Sequence, residues 1–219
     1  VAIKLGSSFA FYGGTSKGVE KRTKVKTRIM ASALSELIGT AENVLIMGHQ
    51  FADLDCLGSA VGMYKAVRQM GKPAAVVLNR QRNLAFPLYN RLAQNGYADA
   101  FVEPDLAIDL IGKKTLLVVV DTHLPHILES REVYSACKTV AVIDHHRKMV
   151  GHIDNAVIFY HEPYASSASE MVTELVQYFG DHVKIGKMEA EALLSGIMLD
   201  TKNFVMKTGV RTFEAAAYL

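Results

Sequence analysis

Cysteine is scarce in this chain: two in 219 residues, Cys56 and Cys137, in unrelated contexts. That usage excludes a disulfide framework and a cysteine-built zinc site, and it fits a reducing, cytosolic setting in which both are small buried residues. Long apolar runs are missing too. None approaches the roughly 20 residues of a membrane span, and no signal peptide opens the chain, so this piece has no direct membrane contact of its own. Charge imbalance is equally absent. A net charge of +2 gives no global case for a nucleic-acid duplex as partner. Internal repeats and low-complexity segments are lacking. The exception is local: Lys17, Lys21, Arg22, Lys24, Lys26 and Arg28 crowd one stretch with Glu20 as its acid. Two readings stand for it, a solvated helix face and a basic surface turned toward phosphates or another domain.

What is present in quantity is apolar side chain. Half of the residues are hydrophobic, enough for a large core and against disorder. The chain starts at Val1 and stops at Leu219 inside a helical pattern, Thr212 to Leu219, with no cap. The expectation is a piece of a longer protein. Residues 1 to about 12 read as one or two short strands closed by Gly13-Gly14. A helix from about Lys17 to Gly39 follows, with an apolar stripe of Val25, Ile29, Ala33, Leu34, Leu37 and Ile38. Residues 1–40 thus form a connector, and 41–219 the domain behind it.

From Asn43 strands and helices alternate. Strands are expected at 44–47, 74–78, 99–102, 115–120, 139–143 and 156–160, and helices near 57–70, 84–95, 104–112, 167–180 and 187–200. The strands are nearly continuous apolar runs, the mark of a parallel sheet covered on both faces. The fold class is therefore α/β, a doubly wound, mostly parallel, Rossmann-like sheet.

Four of these apolar elements end in side chains that can hold a metal. His49, Asp53 and Asp55 follow Val44-Leu45-Ile46-Met47, with Gly48 allowing a sharp turn off the strand. Asp121 follows Leu116 to Val120, Asp144-His145-His146 follows Thr139 to Ile143, and Asp200 closes the pattern from Leu193 to Leu199. Ligand sites in such sheets lie at these strand ends. His49, Asp53, Asp55, Asp121, His145 and Asp200 supply carboxylates and imidazoles for two cations, with positions left for water. Neither a closed zinc site nor a calcium cage has this mix. Two cations about 3.5–4 Å apart suit displacement at phosphorus, with Asp121 as the bridging carboxylate.

Other residues carry weaker signals. His123 would touch substrate, orient a ligand or sit on the surface. His126, His152, His161 and His182 read as surface or structural. Ser166, Ser167 and Ser169 before Glu170 read first as a helix N-cap with a nearby acid, and alternatively as a phosphate-holding helix start.

The order GHQFADLD, DTH, DHHR, GIMLDT over residues 43–219 resembles the DHH phosphoesterase superfamily, which includes pyrophosphatases, exonucleases, oligoribonucleases and cyclic-dinucleotide phosphodiesterases. Phe11-Tyr12-Gly13-Gly14 with Val19 to Val25 resembles the segment that joins a degenerate GGDEF domain to the DHH domain in GdpP/YybT-type cyclic-di-AMP phosphodiesterases, and so argues against a pyrophosphatase. The resemblance implies the cytoplasmic DHH domain of a membrane-anchored bacterial protein, homodimeric at full length. It implies a cyclic dinucleotide substrate opened to pApA. His49, Asp53 and Asp121 would hold one manganese ion, and Asp55, Asp121, His145 and Asp200 a second. Asp144 would orient a ligand histidine, and His146 with Arg147 would face the phosphate and leaving group. Ala52 stands where relatives often have proline, which should loosen that loop. The family's C-terminal, glycine-rich substrate domain is missing from this sequence. Two other functions fit the same motifs: hydrolysis of short linear oligoribonucleotides or pAp, and nucleotide sensing without turnover.

Overall fold

The computed structural model describes the backbone of residues 2–5 and 8–11 and every residue from 22 to 219. The Gly13-Gly14 turn and the stretch up to Lys21 lie outside the described residues. Strands β1 (Ala2–Leu5) and β2 (Ser8–Phe11) form an antiparallel pair. Helix α1 (Lys24–Thr40) begins later than its apolar pattern suggested, because Thr23 caps it by accepting from the Lys26 amide at 3.2 Å. Its buried face is Thr27, Ala31, Leu34 and Ile38. Val25 and Ile29, expected on that stripe, are exposed; the helix is turned so that the threonine reaches a polar partner inside.

A six-stranded sheet, all parallel, forms the centre. Its strands are β3 (Asn43–Met47), β4 (Ala74–Val77), β5 (Phe101–Val102), β6 (Thr115–Val120), β7 (Thr139–Asp144) and β8 (Ile158–His161), in the order β5-β4-β3-β6-β7-β8. Counted from β3 this is the 3-2-1-4-5-6 order, with its switch point between β3 and β6. Side chains alternate across the sheet. Val44, Ile46, Leu116, Val118 and Val120 face a core shared with α1, α2 (Leu54–Gln69), α6 (Ala168–Val176) and α7 (Lys187–Thr201). Leu45, Met47, Leu117, Val119, Val140 and Val142 face the opposite core, with Ala107 of α4 (Pro104–Ala107) and Val133 of α5 (Arg131–Ala136). Both faces are covered, which is why the strands read as unbroken apolar runs. Helix α3 (Phe86–Leu92) precedes β5, and α8 (Val210–Tyr218) ends the chain.

Helix α5 was not expected: its single turn and a half is too short to show a period. Strand β5 is shorter than expected, since residues 98–100 form a turn of 3₁₀ helix. Among the described residues no helix is long and apolar enough to cross a membrane.

Candidate metal centre

The switch point gathers the strand ends. The loop after β3 carries His49. Asp53 caps α2, accepting from the amides of Asp55 at 3.0 Å and Cys56 at 3.1 Å, so Asp55 falls in the helix's first turn. Gly48 is not in the left-handed region. It is glycine because a Cβ there would run into the Cys56 sulfur and stand 3.1 Å from the Val120 carbonyl. The turn is made instead by Phe51, with φ 60°. Ala52, in place of proline, is buried and accepts from the Leu84 amide at 2.8 Å and the Ala85 amide at 3.1 Å. The loop is pinned there by its backbone.

Asp121 follows β6 with φ 58°, a left-handed conformation rare outside glycine, asparagine and aspartate, and its amide donates to the Ile143 carbonyl at 3.0 Å. Its carboxylate stands between the two halves of the site. Oδ2 is 3.3 Å from His49 Nε2, and Oδ1 is 3.3 Å from His145 Nε2. His145 Nε2 also lies 3.7 Å from Asp55 and 3.2 Å from Asp200, on the last turn of α7. Asp53 is 4.0 Å from His49. The six expected ligands are thus brought together at one sheet end, with Asp121 in the middle. His49 donates through Nδ1 to the Gln50 carbonyl at 2.8 Å, which leaves Nε2, the atom facing Asp121, as the nitrogen that takes up either a proton or a metal.

The expected support residues are in reach, with a different division of labour. The hydrogen bonds that the Asp144 carboxylate accepts come from His123 and His146, not from His145. They run from His146 Nδ1 at 2.8 Å, from the His146 amide at 3.3 Å and from His123 Nδ1. His123 accepts the Met149 amide at its other nitrogen, 3.1 Å away. Both ring nitrogens of His123 are therefore engaged, and this buried ring braces the loop after β7. His161, expected as surface or structural, joins the same group by donating to the His146 carbonyl. Only its distance in sequence hid it. Arg147 is exposed beside His146.

The serines resolve in favour of the cap. Ser167 accepts from the Glu170 amide at 3.0 Å. The anion at this helix start is internal: the amides of Ala168 and Ser169 donate to Asp55 at 2.7 and 2.8 Å. Gly196 of α7 lets the helices close, since a Cβ there would lie 2.8 Å from Asp55 Oδ1.

The electrostatics are those of a site made for cations. Burial raises the Asp55 carboxyl well above its usual range, and the Asp121 charge adds to the rise. Burial likewise raises Asp200, despite His145. Burial would raise Asp121 also, but His145 and His49 outweigh it and hold it low. Burial opposes charge on the two histidines, yet Asp121 pulls His145 up to about 9, and Asp121 with the Cys56 thiol pulls His49 up to about 12. Protons stand where other cations would fit. Among the described residues, Asp121 Oδ1 and His145 Nε2 are buried without a hydrogen bond. A buried polar atom left unsatisfied costs about 1–3 kcal/mol. Two such atoms facing each other in this donor set fit a metal.

Comparison with known proteins places the chain in a family. The model of the DHH family, N-terminal domain, matches residues 43–197. Cyclic-di-AMP phosphodiesterase GdpP of Geobacillus thermodenitrificans (strain NG80-2) is 44% identical over the whole of this chain and 34% of its own length. Cyclic-di-AMP phosphodiesterase PdeA of Listeria monocytogenes is 42% identical, over 95% of this chain and 32% of its own. The chain thus spans about a third of the length of these curated relatives. Among solved structures, an exopolyphosphatase-related protein from Bacteroides fragilis shares the fold with a TM-score of 0.72, at 20% identity, over 87% of this chain and 56% of that one.

Proposed function

The chain belongs to the DHH family, and on that premise we propose that it is the metal-bearing domain of a phosphodiesterase that opens cyclic-di-AMP to pApA. The observation that carries this is the pair of buried, unsatisfied ligand atoms, Asp121 Oδ1 and His145 Nε2, 3.3 Å apart among carboxylates that repel one another. Relatives at 44% and 42% identity are named cyclic-di-AMP phosphodiesterases. Their greater length supports a domain that works within a longer bacterial protein; a cytoplasmic position beside a membrane anchor is what the resemblance of residues 11–25 implies.

His49, Asp53 and Asp121 would hold one manganese ion, and Asp55, Asp121, His145 and Asp200 another. Such a pair supplies Lewis-acid activation of water near neutral pH and neutralises phosphoryl charge. The chain's own residues do the rest. Asp121, fixed by its backbone, serves both halves of the site. The α6 amides hold Asp55 in place, so the ligand needs no reorganisation. His146 is held at Nδ1 by Asp144, and that bond raises its basicity. Its ring is half exposed at the rim, where it can donate to a phosphoryl oxygen or to the departing 3′-oxygen. Arg147 adds a bidentate phosphate contact beside it.

The test is manganese-dependent release of pApA from cyclic-di-AMP by the full-length protein, with Asp144→Ala/His145→Ala as control. Release that the double variant abolishes supports the reading. No release from the intact protein overturns it, and faster hydrolysis of linear pApA than of the cyclic substrate redirects it to oligoribonuclease chemistry.

A further inference from the structure

Arg22 stands one residue ahead of the Thr23 cap, in the stretch whose composition resembles a solvated basic face. Its side chain is only 8% exposed. The guanidinium pairs with Glu170 through Nη1 and with Glu174, one turn further along α6, through Nη2 at 2.9 Å. Glu170 is fully buried. Its other oxygen accepts from the Ser166 amide at 3.2 Å, the Ser166 hydroxyl at 2.5 Å and the Thr212 hydroxyl at 2.7 Å. This carboxylate therefore ties down the turn that leads into α6. The first two amides of that helix, Ala168 and Ser169, are the ones that hold Asp55.

We propose that Arg22 is a positioning residue for the metal centre: by neutralising Glu170 it fixes the first turn of α6, and through that turn it aims Asp55. The proposal rests on the metal reading above. A buried carboxylate deprived of its cation does not remain an unpaired anion; it takes up a proton or admits water. Either change alters what Ser166 donates to, and the α6 amides shift with it. Asp55 cannot follow freely, because Gly196 packs against it from α7. Arg22, just ahead of α1, is thereby a structural part of the site.

Arg211 supplies an internal control. It pairs with Glu174 at 2.6 Å and donates to Thr27 at 2.9 Å, in the same network, without touching Glu170. The experiment is a calorimetric Mn2+ titration of the full-length protein, with thermal unfolding in parallel, for wild type, Arg22→Gln, Arg22→Lys and Arg211→Gln. Loss of a residue that supports a ligand commonly costs 10–100-fold in metal affinity; one bond further out, Arg22→Gln should cost about 3- to 10-fold. Arg22→Lys keeps a charge opposite Glu170 but cannot span both carboxylates, and should fall between. Arg211→Gln should lower Tm while binding Mn2+ as wild type does. Wild-type affinity in Arg22→Gln overturns the proposal, as does wild-type affinity in Arg22→Lys should Arg22→Gln fail to fold. Equal losses in Arg22→Gln and Arg211→Gln also overturn it, since the role would then be general stability. Failure of wild type to take up Mn2+ is a distinct result, which fails the metal reading itself.

Discussion

At the scale of single residues, Asp121 shows how backbone and charge are set together. Its φ of 58° is held by the bond to Ile143, and asparagine accepts the same conformation. Asp121→Asn should therefore keep the fold but leave the metal-free chain somewhat less stable near neutrality, because the charge it removes is held low by His145 and His49, and the relief to Asp55 and Asp200 offsets that loss only in part. Phosphodiesterase activity should fall to background. Denaturant midpoints with chelator, beside product release, check both halves. Glu170 gives a pH prediction. Burial works to raise its carboxyl, but Arg22 prevails and holds it below the ordinary 4.5. A carboxylate with a depressed folded value contributes stability above the unfolded value and loses it as pH falls through the folded one. The urea-midpoint gap between wild type and Glu170→Gln should thus be widest near neutrality and close below pH 4.5. Glu174 is shifted upward by burial and also by the Glu170 charge, so the variant relieves it in part and the gap near neutrality is trimmed, not reversed.

Between elements, the tightest constraint is where α2 meets α7. A Cβ at Gly58 would collide with the Ala192 carbonyl, which is backbone and cannot rotate aside. Gly58→Ala should cost about 2–3 kcal/mol as the helices part, and should lose activity beyond that loss of fold, because α2 carries Asp55 and α7 carries Asp200. Chemical denaturation and activity at a temperature where the variant stays folded separate the two. At this scale the sequence was legible where burial is uniform: β6 and β7 are apolar on both faces, and their terminal aspartates stand out for that reason. The candidate ligands were legible because each follows such an element within a few residues. Three things were not. Helix α5 is too short for a period. His161 and Arg22 meet their partners 15 and 148 residues away, so no local spacing reveals them. The cap of α6 could be read from Ser167 and Glu170, but that its amides serve Asp55 depends on tertiary packing alone.

For the whole molecule, the switch point joins helices from both halves of the chain around one charge cluster, so metal should act as a staple. A ligand bound only by the folded state adds about 2.7 kcal/mol of stability at 100 times its Kd. Manganese should raise Tm by a correspondingly large step and EDTA should reverse it, a change that differential scanning calorimetry reads directly. The central claim is that Asp121 serves two cations at once, and the manganese stoichiometry of the purified protein tests it most directly. Two ions per chain in wild type, falling to one or none in Asp121→Asn, is the predicted result. One ion or none in wild type, or an unchanged count in the variant, would contradict it.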